Sequence, residues 1–136
     1  LPPARERVVS CGEERAAMQP HKSFANISDC RDLIQCAFSL NDFEIEVYKS
    51  AAVHGPIRAD DLADRMGRDR STVYRALQRL LTCGMVYRET RSLDKGGYYH
   101  VYMGIDRAEL RMKLESCVKD WTQRMRDALD RFDEQM

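Results

Sequence analysis

The sequence predicts a mainly α-helical fold with one small β-hairpin and a long C-terminal helix. Three observations carry that expectation. Capped amphipathic segments follow one another from Ser28 to Gly84. Two β-rich runs flank a polar, glycine-containing turn at 92–97. An apolar stripe of helical period then runs from Leu110 to Met136.

The size and composition suit a single folded domain. With 136 residues, 43% apolar and 32% charged, the chain is long enough to bury one core and too apolar for disorder. Its apolar runs are far shorter than the roughly 20 residues that span a bilayer. Leu1–Arg7 has no apolar core of a secretory signal, so a cytoplasmic location is expected. Residues 1–27 carry no clear stripe and read as an N-terminal arm.

The elements follow in order. Ser28 is placed to cap a helix with Leu33, Ile34, Ala37 and Phe38 on its apolar side. Asn41 and Glu44 have the spacing of a capping box, and Leu40 with Ile45 that of a hydrophobic staple. The helix they open should bury Ile45, Tyr48 and Ala52 and stop at Gly55-Pro56. A short extended link at Ile57 leads to a helix around Asp61–Met66, ended by Gly67. Asp69 then caps a helix from Arg70 to about Thr82, ended by Gly84. Met85–Arg91 and Tyr98–Met103 read as paired strands, and Asp106 opens the last helix.

The spacing from Leu62 to Leu80 has the logic of a helix-turn-helix. A small residue is needed where the second helix crosses the first, and Ala63 supplies it. A glycine four residues on, Gly67, reaches a positive φ at little cost. Val73, Ala76, Leu77 and Leu80 then form the inner face of the second helix. This leaves Ser71, Thr72, Tyr74, Arg75, Gln78 and Arg79 outside or at the edge, with Arg68 and Arg70 at the helix start. Such residues read base edges or grip phosphate: Arg pairs bidentately with guanine, and Gln with adenine. Charge supports the same face. Residues 65–95 hold eight basic residues and three acidic ones, a net of +5 in a neutral chain, so the remainder carries −5. A polyanion is the natural partner of such a segment.

The stretch from Leu40-Asn41-Asp42-Phe43-Glu44 to Val86-Tyr87-Arg88 resembles archaeal winged helix-turn-helix regulators of the TrmB-like type, and more distantly the MarR type. Arg70-Ser71-Thr72-Val73-Tyr74-Arg75-Ala76-Leu77 is close to that family's recognition helix, and His54-Gly55-Pro56-Ile57 resembles the loop leading into the motif. The resemblance implies a dimeric transcription regulator with the 70–79 helix in the major groove. Two departures stand out. Arg58 occupies the position where a Ser or Thr cap is usual, so that cap is lost or moves to Asp60. The chain also has one helix where TrmB-like proteins carry a large sugar-binding domain, so sugar sensing is not expected of it.

The hairpin is the expected wing. Arg91 on its outgoing strand and Lys95 at its tip are candidate contacts to backbone or minor groove. His100 reads as structural. The C-terminal helix, about 29 residues and about 43 Å long, carries Leu110, Leu114, Val118, Trp121, Met125 and Phe132 on one stripe. A second copy is the expected cover for it, although the helix could also fold back on residues 28–38, and both arrangements can coexist.

The expected function is therefore that of a homodimeric, sequence-specific regulator bound to double-stranded DNA. Two other readings stand beside it: a winged-helix module that meets protein or RNA, and a redox- or metal-responsive regulator using N-terminal cysteines. Cys11, His21, Cys30 and Cys36 are the only grouping suited to the latter. Five cysteines without a Cys-x-x-Cys pair read as reduced thiols, and Cys30 and Cys36 are too far apart for the usual zinc pairing. No metal and no cofactor are expected. Neither a nucleophile elbow nor a phosphate-cradling loop is present in the sequence, so an enzyme is not expected.

Overall fold

The computed structural model describes residues 27–136, so the expected arm lies outside the described residues except for Ile27, which packs half-buried on the core. The elements in order are α1 (Cys30–Phe38), α2 (Asp42–His54), α3 (Ala59–Met66), α4 (Arg70–Cys83), β1 (Val86–Ser92), β2 (Tyr98–Gly104), α5 (Arg107–Asp130) and α6 (Phe132–Gln135). This is a winged helix with a long C-terminal helix.

Local chemistry sets most of the boundaries. Asp29, not Ser28, caps α1, accepting from the Asp32 amide at 2.9 Å. Ser28 instead donates back to the Asp32 carboxylate from both its amide and its hydroxyl. At α2 the capping box forms in full: Asn41 Oδ1 accepts from the Glu44 amide at 2.7 Å, and Glu44 Oε1 from the Asn41 amide at 2.9 Å. Leu40 and Ile45 are both buried beside it. Arg58 precedes α3 without a side-chain cap, and Asp60 falls inside the first turn, so that cap is lost. Asp69 caps α4, accepting from the Thr72 amide and hydroxyl.

The HTH turn depends on Gly67, whose φ of +63° is strained for any residue with a Cβ. Beside it Ala63 is buried where α3 meets α4. Val73, Ala76, Leu77 and Leu80 point inward as expected, joined by Leu81 and Cys83. Fully burying a side chain such as Leu62, Leu77 or Leu80 is worth roughly 1.5–3 kcal/mol against leaving it exposed, which is what holds α3 and α4 at a fixed angle.

The inner face of α2 differs by one residue from expectation. Ala51 is buried and Ala52 is not, because Ile45, Tyr48 and Ala51 recur at spacing three. Ala52 meets the wing strand instead: a Cβ on Gly104 would lie 2.9 Å from the Ala52 backbone, so only glycine permits the crossing.

β1 and β2 are antiparallel, with Arg88 opposite Tyr102, Thr90 opposite His100 and Arg91 opposite Tyr99. Ile57 adds a one-residue bridge to Tyr102, its amide donating to the Tyr102 carbonyl at 3.1 Å. Met85 stays out of the strand because its amide donates to the Leu80 carbonyl and closes α4.

The last helix departs most from expectation. Asp106 caps it as predicted, but it runs for 24 residues and gives way at Arg131 to the single turn of α6. Its first half is part of the core. Cys117 and Trp121 are buried within one chain, and Leu110 and Leu114 pack against the same cluster. Trp121, expected at the dimer interface, packs against its own chain's core. The fold-back onto α1 holds for this half. Tyr48 ties the junction, its hydroxyl donating to the Ile105 carbonyl at 2.8 Å in a buried setting. Burial, with the nearby Asp106 and Glu109 carboxylates, holds that hydroxyl protonated above its ordinary range.

Candidate nucleic-acid interface

Helix α4 presents its outer face between the HTH turn and the wing. Ser71, Tyr74 and Arg75 are exposed along it. Gln78 is half-buried, and its Nε2 has no hydrogen-bond partner among the described residues. Thr72 sits at the edge with its hydroxyl donating to Asp69 Oδ1 at 2.6 Å, so its first role is to hold the start of the helix. These Thr72 hydrogen bonds, chiefly the side-chain one, hold the Asp69 carboxyl below the usual carboxylate range, and Arg75 adds to the effect.

The arginines divide by what already holds them. Arg70 Nε meets Asp60 Oδ1 at 2.6 Å while the side chain remains largely exposed, so the two terminal nitrogens of the fork are presented outward. Arg68 lies over the Phe43 ring at 4.4 Å, a cation–π contact that anchors the HTH turn to α2. Arg79 turns the other way. Its Nε meets the buried Glu44 Oε2 at 2.8 Å, and Nη2 donates to the Ser39 carbonyl at 2.9 Å. Burying the Glu44 carboxylate requires a cation there, so Arg79 is tied inward to the start of α2.

On the wing, Arg91 is half-buried with Glu89 3.5 Å away, whereas Lys95 is exposed in the turn whose Gly96 and Gly97 have positive φ. His100 Nδ1 lies 3.1 Å from Thr90 Oγ1 across the strands, as suits a structural residue.

The wing and α4 enclose a small cleft of about 230 Å³, lined among others by Arg58, Arg70, Tyr74, Tyr98 and His100. Arg58 stacks over Tyr99 at 4.7 Å. Arg58, Asp60 and Tyr98 were not picked out from sequence as parts of this face. The usable signal was the Arg58-Ala59-Asp60 run at an uncapped helix start, which places both charges beside the next helix.

Residues 34–108 match the family described as the sugar-specific transcriptional regulator TrmB. The chain belongs to the TrmB family.

This TrmB-family chain has relatives in archaea. The uncharacterised protein MJ1503 of Methanocaldococcus jannaschii is 35% identical over 94 residues, covering 69% of this chain and 71% of its own. MJ1082 of the same organism is 34% identical over 103 residues, covering 76% and 85%. Among solved structures, a possible transcriptional regulator from Methanosarcina mazei Go1 superposes with a TM-score of 0.68 at 28% identity, covering 82% of this chain and 95% of that one. The ST1889 protein from Sulfolobus tokodaii gives 0.54 at 26% identity, covering 70% and 93%. The family match spans α2 to β2 whole and ends in the first turn of α5, so it takes in the HTH and the wing. The chain is thus a transcriptional regulator by family.

Other groupings are sparse. No set of three His, Cys, Asp or Glu side chains suited to a metal lies together among the described residues. Cys30 is exposed and Cys36 buried, on different faces of α1, while Cys11 and His21 lie outside the described residues. No helix among the described residues is long and apolar enough to cross a membrane.

Proposed function

We propose that this chain is a cytoplasmic, homodimeric regulator that binds double-stranded DNA sequence-specifically, with α4 in the major groove and the β1–β2 wing on the adjacent backbone or minor groove. The observation that carries the reading is the outer face of α4. Its inner face is consumed by the core, and Ser71, Tyr74, Arg75 and Gln78 remain beside an Arg70 already oriented by Asp60. In this reading Arg70, Arg75 and Gln78 contact base edges, and Ser71 and Tyr74 support them. Arg68, Arg91 and Lys95 meet phosphate, and Thr72 and Arg79 hold the helix that does the reading.

Mobility shift on a random duplex across a salt series tests it. Binding should be strongest at the lowest salt and fall linearly in log–log form, because each phosphate contact releases counterions. No binding at low salt overturns the reading. Equal binding to duplex RNA and duplex DNA would favour an RNA-interaction module instead.

A further inference from the structure

A second cleft, of about 490 Å³, opens between the wing, α3 and the end of α2, and no residue of α4 lines it. Ile57 and Val101, both buried, form its apolar part, and its walls carry both signs of charge.

Three guanidiniums reach this cleft from three places: Arg58 before α3, Arg65 in α3 and Arg91 in β1. Two of them are gathered about one ring. Arg58 stacks over Tyr99 at 4.7 Å, and Arg91 lies directly across the strands from Tyr99. Cross-strand partners share a face of the hairpin, so like charges are brought together there and repel. Glu89 offsets only one of them, meeting Arg91 Nη2 at 3.5 Å. Arg58 and Arg65 have no ion-pair partner among the described residues, and neither have Asp61 and Asp64, which line the cleft from α3.

The cleft thus holds unspent charges of both signs. Three guanidiniums less two carboxylates leave it at +1. Its complement is a ligand with two oxyanion groups and one ammonium, at −1. The volume is in the range of small-ligand sites, and guanidinium forks match carboxylates in geometry.

We propose that this cleft binds a small dicarboxylic amino acid as an effector, its carboxylates on Arg58, Arg65 and Arg91 and its ammonium on Asp61 and Asp64. Arg58 and Tyr99 also line the cleft beside α4, so the two clefts share a wall. Arg91 is a phosphate contact in the DNA complex proposed for this chain. Occupancy therefore draws Arg91 off the DNA backbone and weakens duplex binding. That regulatory half rests on the DNA-binding reading, whereas the binding half does not.

Titration of the full chain with L-glutamate, without DNA, tests the binding half. His54 lines this cleft and His100 the other. The imidazole signals of His54, assigned with His54→Gln, should shift to saturation in NMR spectra while those of His100 stay near their free positions. No shift, or a shift at His100 without one at His54, overturns the proposal. In calorimetry L-glutamate should bind more tightly than succinate, which lacks the ammonium, and than L-glutamine, which lacks the second carboxylate. Equal affinities overturn it too.

Arg65 and Asp64 are exposed and lie outside the DNA-reading residues, so their variants should fold, which circular dichroism checks. Arg65→Ala should lower glutamate affinity by at least about tenfold, and Asp64→Asn should erase the advantage over succinate. An unchanged profile in either variant assigns the binding elsewhere. For the regulatory half, saturating L-glutamate should lower duplex affinity about fivefold relative to the same concentration of potassium chloride, and Arg65→Ala should suppress the effect. Duplex binding that ignores bound glutamate sinks the effector role and leaves the site standing. Loss of duplex binding at low salt without any ligand sinks the DNA-binding reading alone.

Discussion

Helix α4 buries six of its fourteen residues, whereas α5 buries two of its twenty-four. Both are amphipathic and both contribute to the same core, but what they leave outside differs in kind. The outer face of α4 is made of hydroxyls, an amide and guanidinium groups, which water solvates well. The outer face of α5 carries Val118, Met125 and Leu129, which water does not. A polar face of that sort is worth little until a charged partner arrives, while an apolar one calls for cover at all times. The first suits a reversible encounter with DNA, the second a standing association.

The largest expected effects test whether the inner faces are equivalent. Leu77→Ala in α4 should cost about 2–5 kcal/mol in urea unfolding, and Trp121→Ala in α5 about 3–5 kcal/mol. Met125→Ala, four residues beyond Trp121, should leave subunit folding nearly unchanged. A Trp121→Ala loss no greater than that of Met125→Ala would remove α5 from the core.

Next come the outer and edge arginines of α4. Arg75→Ala should weaken specific binding by about 1–3 kcal/mol and relax preference at one base pair. Arg79→Ala should leave base preference intact and lower stability by about 1–3 kcal/mol, because it strands the buried Glu44 carboxylate. If footprinting or selected sites showed the two variants losing the same base preference, Arg79 would belong to the reading face after all. Lys95→Ala on the wing should weaken all duplexes alike and reduce the salt slope by about 1.

The smallest effect concerns the cap of α4. Asp69 has a lowered pKa in the folded chain, so the stability it contributes is complete above its unfolded value and is lost as pH falls through the folded one. In the acid limb of a stability-versus-pH curve, Asp69→Asn should therefore be flatter than wild type below about pH 4. Parallel curves would mean that Thr72 holds the cap without the charge.

Short-range chemistry was the readable part of this molecule. The Asn41–Glu44 box, the Gly67 turn, the Asp69 and Asp106 caps and the inner face of α4 all depend on residues within a turn or two of one another, and each forms. What escaped sequence reading depends on distance. Arg79 looked like an edge contact for DNA because its partner, Glu44, lies 35 positions earlier and was already explained by its capping role. The packing of Trp121 on its own chain's core was not legible either, because a helical stripe records which side is apolar and not whose core it enters. Asp60 was considered only as a cap, although its carboxylate reaches across to Arg70.

The hydrogen bond from Tyr48 to the Ile105 carbonyl has a consequence for span. It clamps the end of the wing, where α5 departs, to the helix behind the reading head. Each head is thereby mounted at a set angle on its rod, like the jaw of a caliper. In a pair of chains the gap between the two jaws becomes a property of the protein, and a duplex must offer its half-sites at that gauge or bend to meet it.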